Sequence, residues 1–225
     1  SLRTPERVRL ALSKTLAALA SWEPRTAEAD LAEAQVPEAH VVTAQVAEAG
    51  AAKAPVEEAT NCSSGDTTTL IEFVSRRALI MLDDIMPLLE SRRARGCVVD
   101  GHGDLHSRNI CMVPGAPTAF DCIDFSRELR VRDTSAEMAF LAMDLDAHGR
   151  ADLAERVTHA YLDEVARDPQ DADHERDFLV PQTWYRLHDA LVRAMVERMR
   201  GAKGESLRFL HLAVGYALPP SLVLM

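Results

Sequence analysis

The side chains with the most reactive chemistry crowd into one stretch, Gly101 to Asn109 (GHGDLHSRN), and into the Asp124-Phe125-Ser126 step that follows it. His102, Asp104 and His106 alternate along the stretch, and Asn109 closes it. One chemistry open to this set is proton abstraction, with Asp104 orienting a hydroxyl and accepting its proton while Asn109 and Asp124 offer the hard oxygen ligands that Mg²⁺ takes. Another is a transition-metal centre, in which the HxDxH triplet is completed by Asp121 or Asp124 and holds zinc or iron for a hydrolase. That alternative leaves Asn109 unexplained. A third is purely structural, since a Gly-flanked His-Asp pair often caps a turn. Gly101-His102-Gly103 is a poor dinucleotide loop, because the sixth position is His106 and no helix start follows.

Any of these chemistries needs a rigid edge to carry the loop. Short β-type runs at Gly96 to Gly101, Ile110 to Val113 and Thr118 to Ile123, separated by the tight Pro114-Gly115-Ala116-Pro117 turn, predict a small β element. Asn109 then sits before one strand and Asp124 at the end of the next. Helical periodicity surrounds this element. Thr4-Pro5-Glu6 starts a first helix to about Ala20. After the polar break NCSSGD at 61–66, Leu70, Phe73, Val74, Leu79, Ile80 and Leu82 predict a long helix to about Arg95, bent at Pro87. Further helices are predicted over 133–147, 150–167, 172–200 with a break at Pro181, and 205–217, with stops at Gly149 and Gly201. Residues 25–60, rich in Ala, Glu and Val and interrupted by Pro37 and Pro55, read as weakly held turns or loop. The expected class is α+β, mostly helical.

The 225 residues are 47% hydrophobic and 27% charged, enough apolar material for a sizeable core. Aromatics make up only 5%, so Ala, Leu, Val and Met must fill it. With 35 acidic against 25 basic residues and a net charge of −10, no broad basic face is available for nucleic acid. No apolar run approaches the roughly 20 residues that span a bilayer, and no secretory leader pattern is present, so a membrane is not an expected partner and a cytoplasmic location is. Cys62, Cys97, Cys111 and Cys122 form no CxxC pair and read as reduced packing residues.

The spacing His102-Gly103-Asp104-Leu105-x-x-x-Asn109, with Asp124 20 residues beyond Asp104, matches the catalytic loop and metal-binding aspartate of protein kinases. The longer text HGDLHSRNI, then IDF, then an aspartate and MAFLAMDL, resembles the aminoglycoside phosphotransferase and choline-kinase-like branch of the protein-kinase fold. Within that branch it is most similar to bacterial proteins in which such a region precedes a P-loop ATPase-type domain, with text like HGDLHxxHIC, FDCIDF and DLAFLAMDL. The resemblance covers residues 1–218, strongly over 97–147 and faintly over 25–60. It implies a kinase-like C-lobe that uses ATP and Mg²⁺ to phosphorylate a small-molecule hydroxyl. It also implies Asp104 as base, Asn109 and Asp124 as metal ligands, and His102 and His106, with Asp133 and Glu137, as residues that shape the loop.

Two departures qualify that implication. Glu137-Met138 stand where relatives have an aspartate before LAFL, and the chain has three lysines, Lys14, Lys53 and Lys203, none in a nucleotide-gripping strand. With no Gly-rich loop either, the N-lobe is missing from this sequence, and a catalytically weak, pseudokinase-like regulatory module is the alternative. The start at Ser1 and the Pro219-Pro220-SLVLM finish lead us to expect a piece of a longer chain, with 219–225 opening a covalently linked P-loop ATPase-type domain.

The remaining polar residues carry plainer expectations. Asp133 should cap a helix, and Asp144 and Asp146 should mostly face solvent. Met138, Met143, Met195 and Met199 read as core filler. Arg186, Arg193, Arg198 and Arg200 line either a phosphate cleft or a solvated helix face.

Overall fold

A computed structural model describes residues 64–114, 116–165 and 172–218. The expected first helix, the 25–60 stretch, Cys62 and the 219–225 tail lie outside the described residues.

The first described element is α1 (Ser64–Ala94). Its buried positions Ile71, Val74, Ala78, Leu82, Ile85, Leu89 and Arg92 recur every three or four residues, the stripe an amphipathic helix turns inward. Gly96 follows it with φ +82, the left-handed conformation that ends helices. The chain then forms β1 (Val98–Asp100), a short 3₁₀ turn (Ser107–Asn109), the hairpin β2 (Ile110–Val113) and β3 (Ala116–Ala119), a single turn α2 (Arg127–Arg130) and β4 (Val131–Asp133). Two antiparallel pairs result. β1 lies on β4 with Val99 opposite Arg132, and β2 on β3 with Cys111 opposite Thr118. The rest is helical: α3 (Thr134–Ala147), α4 (Ala151–Val165), α5 (Ala172–Met199) and α6 (Lys203–Ala217).

The molecule is thus α+β and mostly helical. Helix α3 is the hub, packed against α4, α5 and α6, while α1 lies across α5 and α6. The main core joins Val74, Ala78 and Leu82 of α1 to Ala139 and Met143 of α3, Trp184, Leu187 and Leu191 of α5, and Phe209 and Leu210 of α6. Burying each of the large side chains contributes about 1.5–3 kcal/mol. Trp184 also donates its indole N–H to the Ala78 carbonyl (2.9 Å), which satisfies the one polar atom of a fully buried ring.

Several expectations are corrected. The last β run ends at Ala119 instead of Ile123, so Asp124 stands in the irregular segment after the strand. Strand β4 was not foreseen, being only three residues long.

Proline 181 does not break α5. A proline inside a helix deprives the carbonyl four residues earlier of its donor. Here that carbonyl, on Asp177, is taken by Arg92 Nη1 of α1 (3.1 Å), and Ser135 Oγ of α3 donates to the next one, on Phe178 (2.8 Å). Tertiary donors replace the missing local one, and the helix runs on. Cys111 and Cys122 are exposed and do not pack; Cys97 is half-buried. Met138 and Met143 are core residues and Met195 packs against the core, but Met199 is 62% exposed. No helix among the described residues is long and apolar enough to cross a membrane.

Candidate active site

Backbone hydrogen bonds fix both ends of the segment between β1 and β4. Gly101 N–H donates to the Arg130 carbonyl (3.1 Å), and Ile123 N–H donates to the His102 carbonyl (3.0 Å). The first bond continues the β1–β4 ladder, and the second draws the segment that bears Asp124 alongside the loop.

Gly103 turns the chain with φ +85. A β-carbon there would lie 3.1 Å from the Arg130 backbone and 3.3 Å from the Leu129 carbonyl, so both conformation and space require glycine. Its two backbone groups are held from opposite sides. Glu137 of α3 accepts the Gly103 N–H (3.0 Å), and Arg132 Nη1 donates to the Gly103 carbonyl (3.2 Å). Glu137 therefore tethers the loop from the position where a shorter aspartate was expected. Arg132 is itself buried, donates to the Ala136 carbonyl (3.0 Å), and stands 3.6 Å from Glu137 and 3.8 Å from Asp189, ionic contacts longer than hydrogen bonds.

Asp104, His106 and Asn109 come together. Asn109 is buried, and its Nδ2 donates to the Asp104 carbonyl (3.0 Å) and, more weakly, to its carboxylate (3.4 Å). That fixes which way the amide points and leaves its oxygen, a hard donor, on the other side. His106 Nδ1 accepts the Arg108 N–H (3.3 Å), so in the neutral ring the proton sits on Nε2, which faces the Asp104 carboxylate at 3.6 Å. The facing His106 imidazole is the largest influence on Asp104. Desolvation opposes it, but with the charges of His106 and His102 and the Asn109 amide the net effect holds the carboxyl below the usual carboxylate range. Phe140 of α3 meets the His106 ring edge-on, with centroids 5.8 Å apart.

The other site residues divide clearly. His102 Nε2 lies 2.7 Å from the Phe120 carbonyl, and its Nδ1 is buried without a hydrogen-bond partner. It shapes the loop and pins the returning chain. Asp124 is exposed, one residue from the Ile123 carbonyl that Arg130 Nη1 binds (3.1 Å). Asp121 has φ +61, the left-handed region where an aspartate is tolerated. Asp133 caps α3 by accepting the Ser135 N–H (2.7 Å) and receives both Nε and Nη2 of Arg92 (2.9 and 2.7 Å). It acts on the helix that carries the tethers and not on the loop directly.

The structure does not gather the HxDxH triplet and a further carboxylate into one cluster. Among the described residues no group of three or more His, Cys, Asp and Glu side chains is placed to hold a metal ion. Of the two expected Mg²⁺ ligands, Asn109 is buried at the foot of β2 and Asp124 is exposed in the segment after β3.

Asp144 and Asp146 are not solvent-facing. Asp144 accepts the Ser107 N–H (2.9 Å), and its side chain is 14% exposed. Asp146 receives Arg186 Nη1 (3.2 Å) and the Tyr216 hydroxyl, whose titration burial pushes far above the usual tyrosine range. Of the four arginines read together, Arg186 is therefore structural. The signal that would have found Asp144 is its register, since Glu137, Phe140 and Asp144 share one face of α3 at steps of three and four.

No family model and no solved structure matches this chain. Uncharacterized proteins of Mycobacterium bovis and Mycobacterium tuberculosis are 38% identical to it over 137 residues, 59% of this chain. That match occupies 26% of each relative, so the chain spans about a quarter of their length.

Proposed function

We propose that this chain carries the catalytic lobe of a protein-kinase-like phosphotransferase, of the aminoglycoside phosphotransferase and choline kinase type, that moves the γ-phosphate of ATP to a small-molecule hydroxyl. The observation that carries this reading is the closure of Asn109 onto Asp104, which joins the two ends of the D-L-x-x-x-N spacing through one amide.

In the reaction the acceptor oxygen forms a bond to the γ-phosphorus, the bond to the oxygen bridging it to ADP breaks, and the hydroxyl proton passes to the Asp104 carboxylate. Asp104 is ionised and half-exposed, so its carboxylate is free to orient the acceptor hydroxyl and to take its proton late in the transfer. Mg²⁺ held by Asn109 and Asp124 would neutralise charge on the β- and γ-phosphates. His102 keeps the Asp124 segment against the loop, and Glu137 keeps the loop against α3. Positioning is most of what such an enzyme contributes, and these residues supply it. A linked P-loop ATPase-type domain belongs to the same proposal, and the small share of the relatives that the match occupies is consistent with it. The regulatory alternative drew on the Glu137-Met138 departure and on the scarcity of lysine; the Glu137 bond to Gly103 answers the first, and the three lysines leave the second standing.

The test is transfer of labelled γ-phosphate from ATP by the full-length protein to a panel of small hydroxyl compounds. Asp104→Asn should lower the rate by at least about 100-fold with the melting temperature unchanged. Wild-type turnover by that variant overturns the assignment, and Mg²⁺-dependent ATP binding without transfer favours the regulatory module.

A further inference from the structure

Two carboxylates of α3 reach the same loop, and their spacing is regular. Glu137 accepts the Gly103 N–H and Asp144 accepts the Ser107 N–H (2.9 Å). The two acceptors are seven residues apart, two helical turns or roughly 10 Å along the axis. Between them Phe140 meets the ring of His106. Asp104 and His106 lie between the two held amides.

Asp144 also sits where a carboxylate is otherwise unfavourable. It lies in the last turn of α3, a turn without a basic residue, where the exposed carbonyl end of the helix repels negative charge. Among the described residues its other oxygen meets half-exposed His148 at 3.7 Å, whose Nδ1 lies 2.7 Å from the Asp144 carbonyl. A partner that offsets the helix end is the Ser107 amide.

We propose that Asp144 is a positioning residue, and that with Glu137 it makes α3 a two-point clamp fixing the Gly103–Ser107 segment and thereby the directions of Asp104 and His106. The catalytic consequence rests on the phosphotransferase reading; the clamp itself does not.

Asp144→Ala and Asp144→Asn in the full-length protein test it. With Ala, the Ser107 amide should exchange with deuterium at least about tenfold faster, while the amides of α5 and α6 keep their protection. Asn, whose amide oxygen can accept the same bond, should restore protection at Ser107. With ATP and an accepted hydroxyl compound, Ala should lower kcat at least about tenfold while KM for ATP holds, the pattern of an interaction used in the transition state. Unchanged exchange at Ser107, loss of protection across all helices, or failure of Asn to restore it overturns the clamp. A wild-type protein that transfers no phosphate overturns the functional reading alone, because the exchange measurement still decides the clamp.

Discussion

Asp104 and His106 show how a few contacts set the ionisation of a loop carboxylate. A carboxyl whose folded titration point is depressed stabilises the fold above its unfolded value and loses that contribution as pH falls through the folded value. For Asp104 the window lies at and below the ordinary value of 3.8, so the carboxylate is ionised at neutral pH. His106 is the largest cause, and its removal should move the titration upward. On the proposed phosphotransferase reading, His106→Ala is expected to shift the acid limb of the kcat/KM profile to higher pH, read from phosphoryl-transfer rates between about pH 3 and 7 against wild type. At this scale the sequence placed Asp104 and Asn109 in one short loop without foretelling that the Asn109 amide would bond the Asp104 carbonyl. Asp144 was misread because its partner is a backbone amide 37 residues away, which side-chain type does not reveal.

Among the elements, α1, α3 and α5 meet at Arg92. Its guanidinium serves the Asp133 cap of α3 and the Asp177 carbonyl freed by Pro181 in α5. Both ionic partners are nearly inaccessible, at 3% and 5% of side-chain exposure. Arg92→Met should cost about 3–5 kcal/mol, because it leaves the Asp133 carboxylate buried without its countercharge. Denaturant melts of Arg92→Met, Asp133→Asn and the double variant check this, with the double variant losing less than the sum of the two singles. The periodicity of α1, α4 and α6 was readable because each turns one stripe inward. Helix α3 is buried almost all round, so its apolar pattern located it without indicating which face holds the loop. Pro181 read as a break for a sound local reason, and only the donors from two other helices, remote in sequence, reverse it.

Across the molecule, stability is unevenly shared. The helical core holds Trp184, Phe178 and Leu82 fully buried, whereas the β2–β3 hairpin is exposed along nearly its whole length, with Met112 at 78%. An isolated two-stranded hairpin is marginal in water. Amides of β2 and β3 should therefore exchange by local opening well before those of α3 and α5, which should exchange only with global unfolding, as hydrogen exchange resolved by residue will show. The candidate site spans that boundary, with Asn109 at the foot of the hairpin and Glu137 and Asp144 in the core. The exposed thiols have a practical use of their own. Cys111 rises from the hairpin and Cys122 lies two residues before Asp124, so the native chain already offers attachment points for a fluorophore or spin label on either side of the site. Motion and occupancy there can be followed without adding a single new cysteine.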